Sequence, residues 1–334
     1  MAATQDTAPK TFLDLINDCD SFPDIDIAQT PYSDDNQSAF YQFLLPNDPR
    51  PHGYMVPSVV ERMPWTADFK ISPPTARPRT VQLIDTSNGS NTSQACNKSL
   101  LEVVEAAKAA RIFEGLRPRP NYEDYKVIGA NFPVQLQRSA APLFGIANRG
   151  AHLNIYTVAE DGALKFWVPR RSAHIRTWPG MLDNAVAGGV RAEESPFECI
   201  VHEADEEASL PEELIRTRAR ATGVITYVSR SAPGSGAEIG LMVPDCIYTF
   251  DLQVGPDEVP RPRDEEVQEF YLWSVDQVKE ALARGEFKPN CALVMIDFFI
   301  RRGVITEDNE QDYLQLVTRL HRTLPVPTVP AQGR

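Results

Sequence analysis

An α/β architecture in two parts follows from three observations. From about residue 140 onward, β-rich runs alternate with amphipathic helices. One acidic helix, entered through a pair of glycines, sits between those strands. The first 138 residues carry their own mixture of helical and strand patterns and no catalytic signature. The expectation is an α/β/α sandwich built on a mixed sheet, preceded by a smaller α+β domain. The corresponding divisions are 1–138, 139–286, and a set of C-terminal helices with a tail at 287–334.

Taken in order, residues 10–20 read as a short amphipathic helix, followed by a Pro- and Asp-rich stretch through Asp35. Residues 39–64 read as mostly helical with Pro breaks. Phe69 to Ile71 and Thr80 to Ile84 read as short strands, and Ser87 to Gln94 as a flexible loop. A strong helix then spans 96–114 and stops before Gly115 and the Pro-rich RPRP. Leu153 to Val158 and Leu164 to Val168 flank Glu160-Asp161-Gly162, the pattern of a hairpin with a Gly-containing turn. Further strands are expected at Ala219 to Ser229, Ile247 to Leu252 and Val267 to Trp273, and helices at 275–284, 291–302 and 307–322. No internal repeat is evident, and the closing PVPTVPAQGR reads as a mobile tail.

With 334 residues the chain can bury a core in each of two domains. A net charge of −13 leaves no basic stripe for nucleic acid or an anionic membrane, so a polyphosphate must be held by metal and a few local cations. The five cysteines, Cys19, Cys96, Cys199, Cys246 and Cys291, lack paired spacing for a disulfide framework or a zinc site, which points to a reducing compartment. No apolar run reaches membrane-spanning length, and the N-terminus lacks the segments of a signal peptide. A cytoplasmic location is expected, with the nucleus as the alternative; oligomeric state is left open.

The chemistry concentrates in residues 188–210. Glu203, Glu206 and Glu207 stand at i, i+3 and i+4, which places three carboxylates on one helix face. Like charges at that spacing repel unless a cation lies among them, and Mg²⁺ or Mn²⁺, hard ions taking oxygen ligands, suit the set. Ser195, Pro196 and Glu198 form the pattern of a capping box with Pro in the first turn. Phe197, Ile200, Val201, Ala204 and Ala208 make an apolar stripe beside the glutamates, so the carboxylates belong at the rim of a core. Gly188-Gly189 is expected to form a turn where backbone approaches a ligand, adding the Gly188 carbonyl as a further metal ligand.

This stretch resembles the Nudix box, the signature of hydrolases acting on nucleoside and other organic diphosphates. Gly188, Glu194, Glu203-Ala204, Glu206-Glu207 and Leu210 match its fixed positions. Two positions depart from it: His202 stands where the family has Arg, and Ser209 where it has Gly. Arg170-Arg171-Ser172, Thr177 to Asn184, Phe287-Lys288-Pro289-Asn290 and Asp297-Phe298 are similar to the subfamily related to thiamin pyrophosphokinase, and this resemblance covers most of the chain. It implies the Nudix α/β/α sandwich, a small-molecule diphosphate substrate, and hydrolysis of thiamin diphosphate or its oxidised analogues to the monophosphate and phosphate. It also implies a substrate-recognition or lid role for the N-terminal domain. The family Arg orients the neighbouring glutamates, a task His performs best when protonated.

Outside the box, Glu266, after Asp264 and Glu265, is a candidate fourth carboxylate, and one of Glu203, Glu206, Glu207 or Glu266 is expected to take the proton of the attacking water. Arg170, Arg171 and Arg176 are candidates to neutralise the diphosphate, with surface ion pairs as the alternative. Trp178 and Tyr227 are candidates to stack a substrate ring, with core packing as the alternative. His174 and His202 are not spaced as a metal pair. Three other functions compete: an isopentenyl-diphosphate isomerase, disfavoured because MLDNAVAGG lacks the required Cys; a hydrolase of ADP-ribose or a dinucleotide; and a binding module whose box is disabled by His202 and Ser209.

Overall fold

A computed structural model describes residues 8–23, 40–116, 123–232 and 238–331. The Pro- and Asp-rich stretch through Asp35 and the RPRP run at 117–120 lie outside them. Helix α1 (Phe12–Cys19) is capped by Thr11, whose Oγ1 accepts from the Asp14 amide at 3.1 Å while the Asp14 carboxylate accepts from the Thr11 amide at 2.9 Å.

Residues 39–64, expected to be helical, instead form strands β1 (Tyr41–Leu44) and β2 (Pro51–Met55), with helix α2 (Pro57–Arg62) after them. Tyr41 and Phe43 are buried and alternate with Gln42 and Leu44, a period-2 pattern that the surrounding prolines obscured. The connecting Pro46-Asn47-Asp48 is a turn: Asn47 holds φ +56°, and Asp48 Oδ1 accepts from the Arg50 amide at 3.0 Å. Strands β3 (Phe69–Ile71) and β4 (Thr80–Leu83) complete a four-stranded sheet in the order β2-β1-β4-β3. Helix α3 (Thr92–Ala109) starts earlier than expected. The Asp85 carboxylate organises the preceding loop by accepting from the amides of Ser87 and Gly89 and from Thr92 Oγ1. Strands β5 (Asp124–Lys126) and β6 (Gln135–Gln137) pair as a ribbon, and the short helix α4 (Ala141–Phe144) leads out of this unit.

Strands β7 (Asn148–Val158) and β8 (Leu164–Arg171) make the expected hairpin, with Gly162 at φ +84° in the turn. Strand β9 (Val186–Gly189) precedes helix α5 (Pro196–Ala208), the acidic helix. A seven-residue helix α6 (Glu212–Arg218), not expected from the sequence, follows Pro211. Strands β10 (Arg220–Arg230), β11 (Met242–Gln253) and β12 (Val267–Ser274) finish a mixed six-stranded sheet of order β10-β11-β7-β8-β12, with β9 also on β7. The β11 and β7 pair is parallel; the others are antiparallel. Helices α7 (Val275–Ala283), α8 (Pro289–Arg301) and α9 (Tyr313–Arg319) close the chain, α9 being shorter than the 307–322 expected.

The period of two in β7 divides the sandwich. Ala151, Leu153 and Ile155 pack with Ile200, Ala204 and Ala208 of α5, while Tyr156 on the other face packs with Phe166, Phe298 and the α8 layer. Leu15, Ile16 and Cys19 of α1 join that α8 layer, so residues at the chain's start help to cover the second sheet. The C-terminal segment, expected to be mobile, is tied down. Leu324 and Val326 are buried with Phe22 and Val228, the Val329 carbonyl accepts from Arg50 at 2.9 Å, and the Ala331 amide donates to Asn131 at 2.7 Å. Its apolar residues find a groove that only tertiary packing creates.

Candidate active site

Helix α5 is anchored before it is functional. Ser195 Oγ accepts from the Glu198 amide at 3.1 Å, but the reciprocal half of the expected capping box is not made. Glu198 turns outward to a bidentate pair with Arg216 of α6, both contacts at 2.7 Å. The helix ends at Ser209 in the left-handed region, φ 54° and ψ 33°, and the Leu210 amide returns to the Ala204 carbonyl at 3.0 Å. Serine therefore performs the stop that glycine makes without a Cβ penalty, at a cost of about 1–2 kcal/mol.

The three glutamates of α5 have different surroundings. Glu207 is buried, and its Oε2 accepts from the Ala187 amide of β9 at 2.9 Å. Burial, then the charges of Glu203 and Asp183, hold its carboxyl well above the usual range. Glu203 is half-buried and lies against β9; Glu206 is exposed. A Cβ on Gly188 would fall 2.2 Å from Glu203 Oε1. Gly188 is thus glycine because a carboxylate rests on its Cα, and it lies in strand β9 rather than in the expected turn, which is held straight by pairing with Ala151. Glu266 is exposed just before β12, near enough for its charge to raise Glu207 further.

His202 occupies the family's Arg position and bridges two carboxylates. Its Nδ1 is 2.7 Å from Glu194 Oε1, and its Nε2 is 3.3 Å from Glu203 Oε1, an ion-pair distance without hydrogen-bond alignment. Contact with Glu203, opposed by partial burial and reinforced by the charge of Glu194, pushes its pKa up to about 9. The imidazolium supplies at neutral pH the charge that the family Arg supplies permanently. Ligand atoms of His202, Glu203 and Glu206 lie within 4.8 Å of one another.

A cleft of about 270 Å³ opens beside β9, lined among others by Gly188, Gly189, Trp178, Asp245 and Lys288. Of the four side chains expected to bind substrate, the structure brings only Trp178 to this cleft, with 40% of its surface exposed and φ +53°, uncommon for a bulky residue. Arg171 is buried and gives Nη1 to Asp183 at 2.8 Å. Arg170 donates to the Gly180 carbonyl at 2.8 Å and to Tyr271 Oη at 3.1 Å. Arg176 is exposed and reaches the Glu114 carbonyl at 3.5 Å. Tyr227 is buried in the α8 core, and His174 is an exposed group 3.9 Å from Glu265.

Other residues reach the cleft unannounced by the sequence. Tyr125 and Arg138 come from the N-terminal unit and lie over Gly189, where a Cβ would stand 2.3 Å from Tyr125 Oη. That unit grips the segment between β9 and α5: Ala192 N donates to Asp124 O at 2.7 Å, and Arg191 reaches Glu123 at 3.3 Å. Asp245 and Lys288 come from β11 and the entry to α8. Lys288 falls within the quoted Phe287 to Asn290 motif; Arg138 is an isolated arginine with no local signal.

A family profile for the NUDIX domain matches residues 150–291. Over those residues the chain is similar to a NUDIX domain. The match runs from β7 into α8 and contains the acidic helix, the glycine pair and His202. Over 201 residues the protein is 42% identical to YJR142W of Saccharomyces cerevisiae, covering 59% of each chain. It is 37% identical over 211 residues to Nudix hydrolase 20, chloroplastic, of Arabidopsis thaliana, covering 62% of this chain and 54% of that one. A third relative, Nudix hydrolase 24, chloroplastic, of the same plant, is 36% identical over 186 residues, with 55% and 48% covered. The chain thus matches about half the length of these curated relatives. Among the described residues no helix is long and apolar enough to cross a membrane.

Proposed function

We propose that this protein is a metal-dependent Nudix hydrolase of organic diphosphates, with thiamin diphosphate or its oxidised analogues as substrate, yielding the monophosphate and phosphate. The observation that carries the reading is the buried Glu207 carboxyl, held by the Ala187 amide beside the Gly188 and Glu203 contact at the wall of the cleft. A carboxyl burdened this way by burial and a like charge suits a site completed by a cation. Glu203, Glu206 and Glu207, with the Gly188 carbonyl, would hold Mg²⁺ or Mn²⁺, and the all-oxygen donor set suits either ion. When bound, the cation supplies charge neutralisation at phosphate oxygens and acidifies water.

The protein's own residues do the rest. His202 keeps the Glu203 carboxylate oriented from behind. One of Glu203, Glu206, Glu207 and Glu266 would take the proton of the attacking water; of these Glu207 is buried and Glu206 and Glu266 are exposed. Trp178, presented at the cleft, supports stacking of a heteroaromatic ring, and both Trp178 and Lys288 lie within the motifs shared with the thiamin pyrophosphokinase-related subfamily. Substrate choice in this family is set outside the box.

The test is turnover by purified protein with Mg²⁺ against thiamin diphosphate, its oxo and oxy forms, ADP-ribose and NADH, reading phosphate and monophosphate release. Preference for the thiamin compounds supports the reading. Turnover of nucleotides alone would keep Nudix chemistry and discard the thiamin substrate. Mn²⁺ binding with no turnover of any compound would mark a disabled box.

A further inference from the structure

The cleft has a second chemical character that the glutamates do not explain. Arg149, the second residue of β7, lines it while being only 8% exposed, and its Nε and Nη1 have no hydrogen-bond partner among the described residues. Its guanidinium carbon lies 5.9 Å from the centre of the Tyr248 ring, which orients the group without satisfying its N–H donors. A buried cation with open donors is costly unless something binds it.

Two further cations face the same space. Lys288 Nζ is 3.8 Å from Asp183 Oδ2, beyond hydrogen-bond reach, and that oxygen already accepts from Arg171 at 2.8 Å. Arg138 gives one donor to Glu123 at 2.6 Å and lies beside Gly189. One carboxyl lines the cleft with these three, that of Asp245, and burial pushes its pKa up to about 7, so it offsets only part of their charge at neutral pH. In a chain of net charge −13, this is a concentration of positive charge built from β7, the entry to α8 and the N-terminal unit. Its complement is a small anion of more than one charge.

We propose that Arg149, Lys288 and Arg138 form the anion site that receives the phosphate groups of the substrate, with Arg149 as the buried anchor and Arg138 as the contribution of the N-terminal unit. The assignment of that anion to a substrate diphosphate rests on the hydrolase reading above. The Arg149 guanidinium keeps unpaired N–H donors at Nε and Nη1, on two of its edges, for anion oxygens, and the neighbouring ammonium adds a less directional charge. Substrate phosphates are then held by these cations beside Gly188, the cleft residue against which Glu203 rests.

The test uses the full chain in EDTA, where the metal site contributes nothing, and titrates inorganic pyrophosphate by calorimetry against the native protein and Arg149→Met, Lys288→Met and Arg138→Gln. Expected is a loss of affinity of about ten- to a hundredfold in Arg149→Met. Its Tm should equal or exceed the native value, because an unpaired buried charge has been replaced by an apolar chain of similar length. Smaller losses are expected in the other two variants. Undiminished pyrophosphate affinity in Arg149→Met and Lys288→Met would overturn the site; if Arg149→Met fails to fold, Lys288→Met and Arg138→Gln at native affinity overturn it by themselves. Mn²⁺ titration of the same proteins separates the two readings. Pyrophosphate binding without Mn²⁺ binding keeps the anion site and removes the hydrolase, whereas Mn²⁺ binding without pyrophosphate binding does the reverse.

Discussion

The acidic helix and the basic lining of the neighbouring cleft are built in opposite ways. Glu203, Glu206 and Glu207 come from a little over one turn of a single helix, and their chemistry is set by local spacing. Arg138, Arg149 and Lys288 come from three separate places in the chain and meet only because β7, α8 and the N-terminal unit pack together. Both sides hold a charged or chargeable group in a poorly solvated place, Glu207 on one and Arg149 on the other. Each is destabilising alone and each gains from a ligand of opposite sign. Function here is stored as incomplete pairing, in one case set within five residues of sequence and in the other assembled by packing of distant segments.

The sharpest way to break this comparison is Glu207→Gln. Turnover is expected to fall by about a thousandfold, roughly 4 kcal/mol, while Tm in the absence of metal stays level or rises, since the amide keeps the shape and removes an acid whose ionisation burial opposes. Full activity would remove Glu207 from the site. Arg171→Gln tests the contrast from the other direction, because Arg171 was one of three arginines that the sequence offered for the diphosphate and the structure places in a buried pair. Loss of about 3 kcal/mol in urea unfolding is expected, from the Asp183 carboxylate left behind. A variant of native stability with raised KM would return Arg171 to substrate binding.

A pH effect of comparable size should arise behind the cleft. His152 on β7 is buried, and its Nδ1 is 2.7 Å from Asn184 Oδ1. Burial, then the charge of Lys288, lowers its pKa to about 4. The unfolded chain therefore binds this proton first as pH falls, so the stability contributed by His152 is whole above about pH 6.5 and declines toward pH 4, by on the order of 3 kcal/mol. Urea midpoints measured from pH 7 to pH 4 should follow that course and flatten in His152→Gln; equal slopes in both proteins would refute it. The smallest expected effect is that of Gly188→Ala. The added Cβ would displace the Glu203 carboxylate and weaken Mn²⁺ binding by about ten- to a hundredfold, readable by titration. Unchanged affinity would show that Glu203 is not a ligand.

Legibility followed the range of the interactions involved. The β7 and β8 hairpin, the acidic helix and its apolar stripe were legible because turn, cap and period lie within a few residues of one another. Residues 39–64 were not, since their strands are too short to outweigh interrupting prolines and are defined by pairing with β4, nearly forty residues downstream. Tyr125 over Gly189, and Leu324 and Val326 in their groove, were hidden for the same reason.

The sequence by itself determined the chemistry of the acidic helix: which carboxylates share a face, where the helix starts and stops, and that a histidine stands beside them where the resembled box has an arginine. Tertiary structure decided what each residue experiences. It buried Glu207 and exposed Glu206, set His202 between two carboxylates, turned Arg171 into a structural pair, and brought three distant cations to one cleft. The reason is that helical spacing is fixed by covalent geometry over a few residues, whereas desolvation and charge pairing depend on which distant surfaces come to lie against one another.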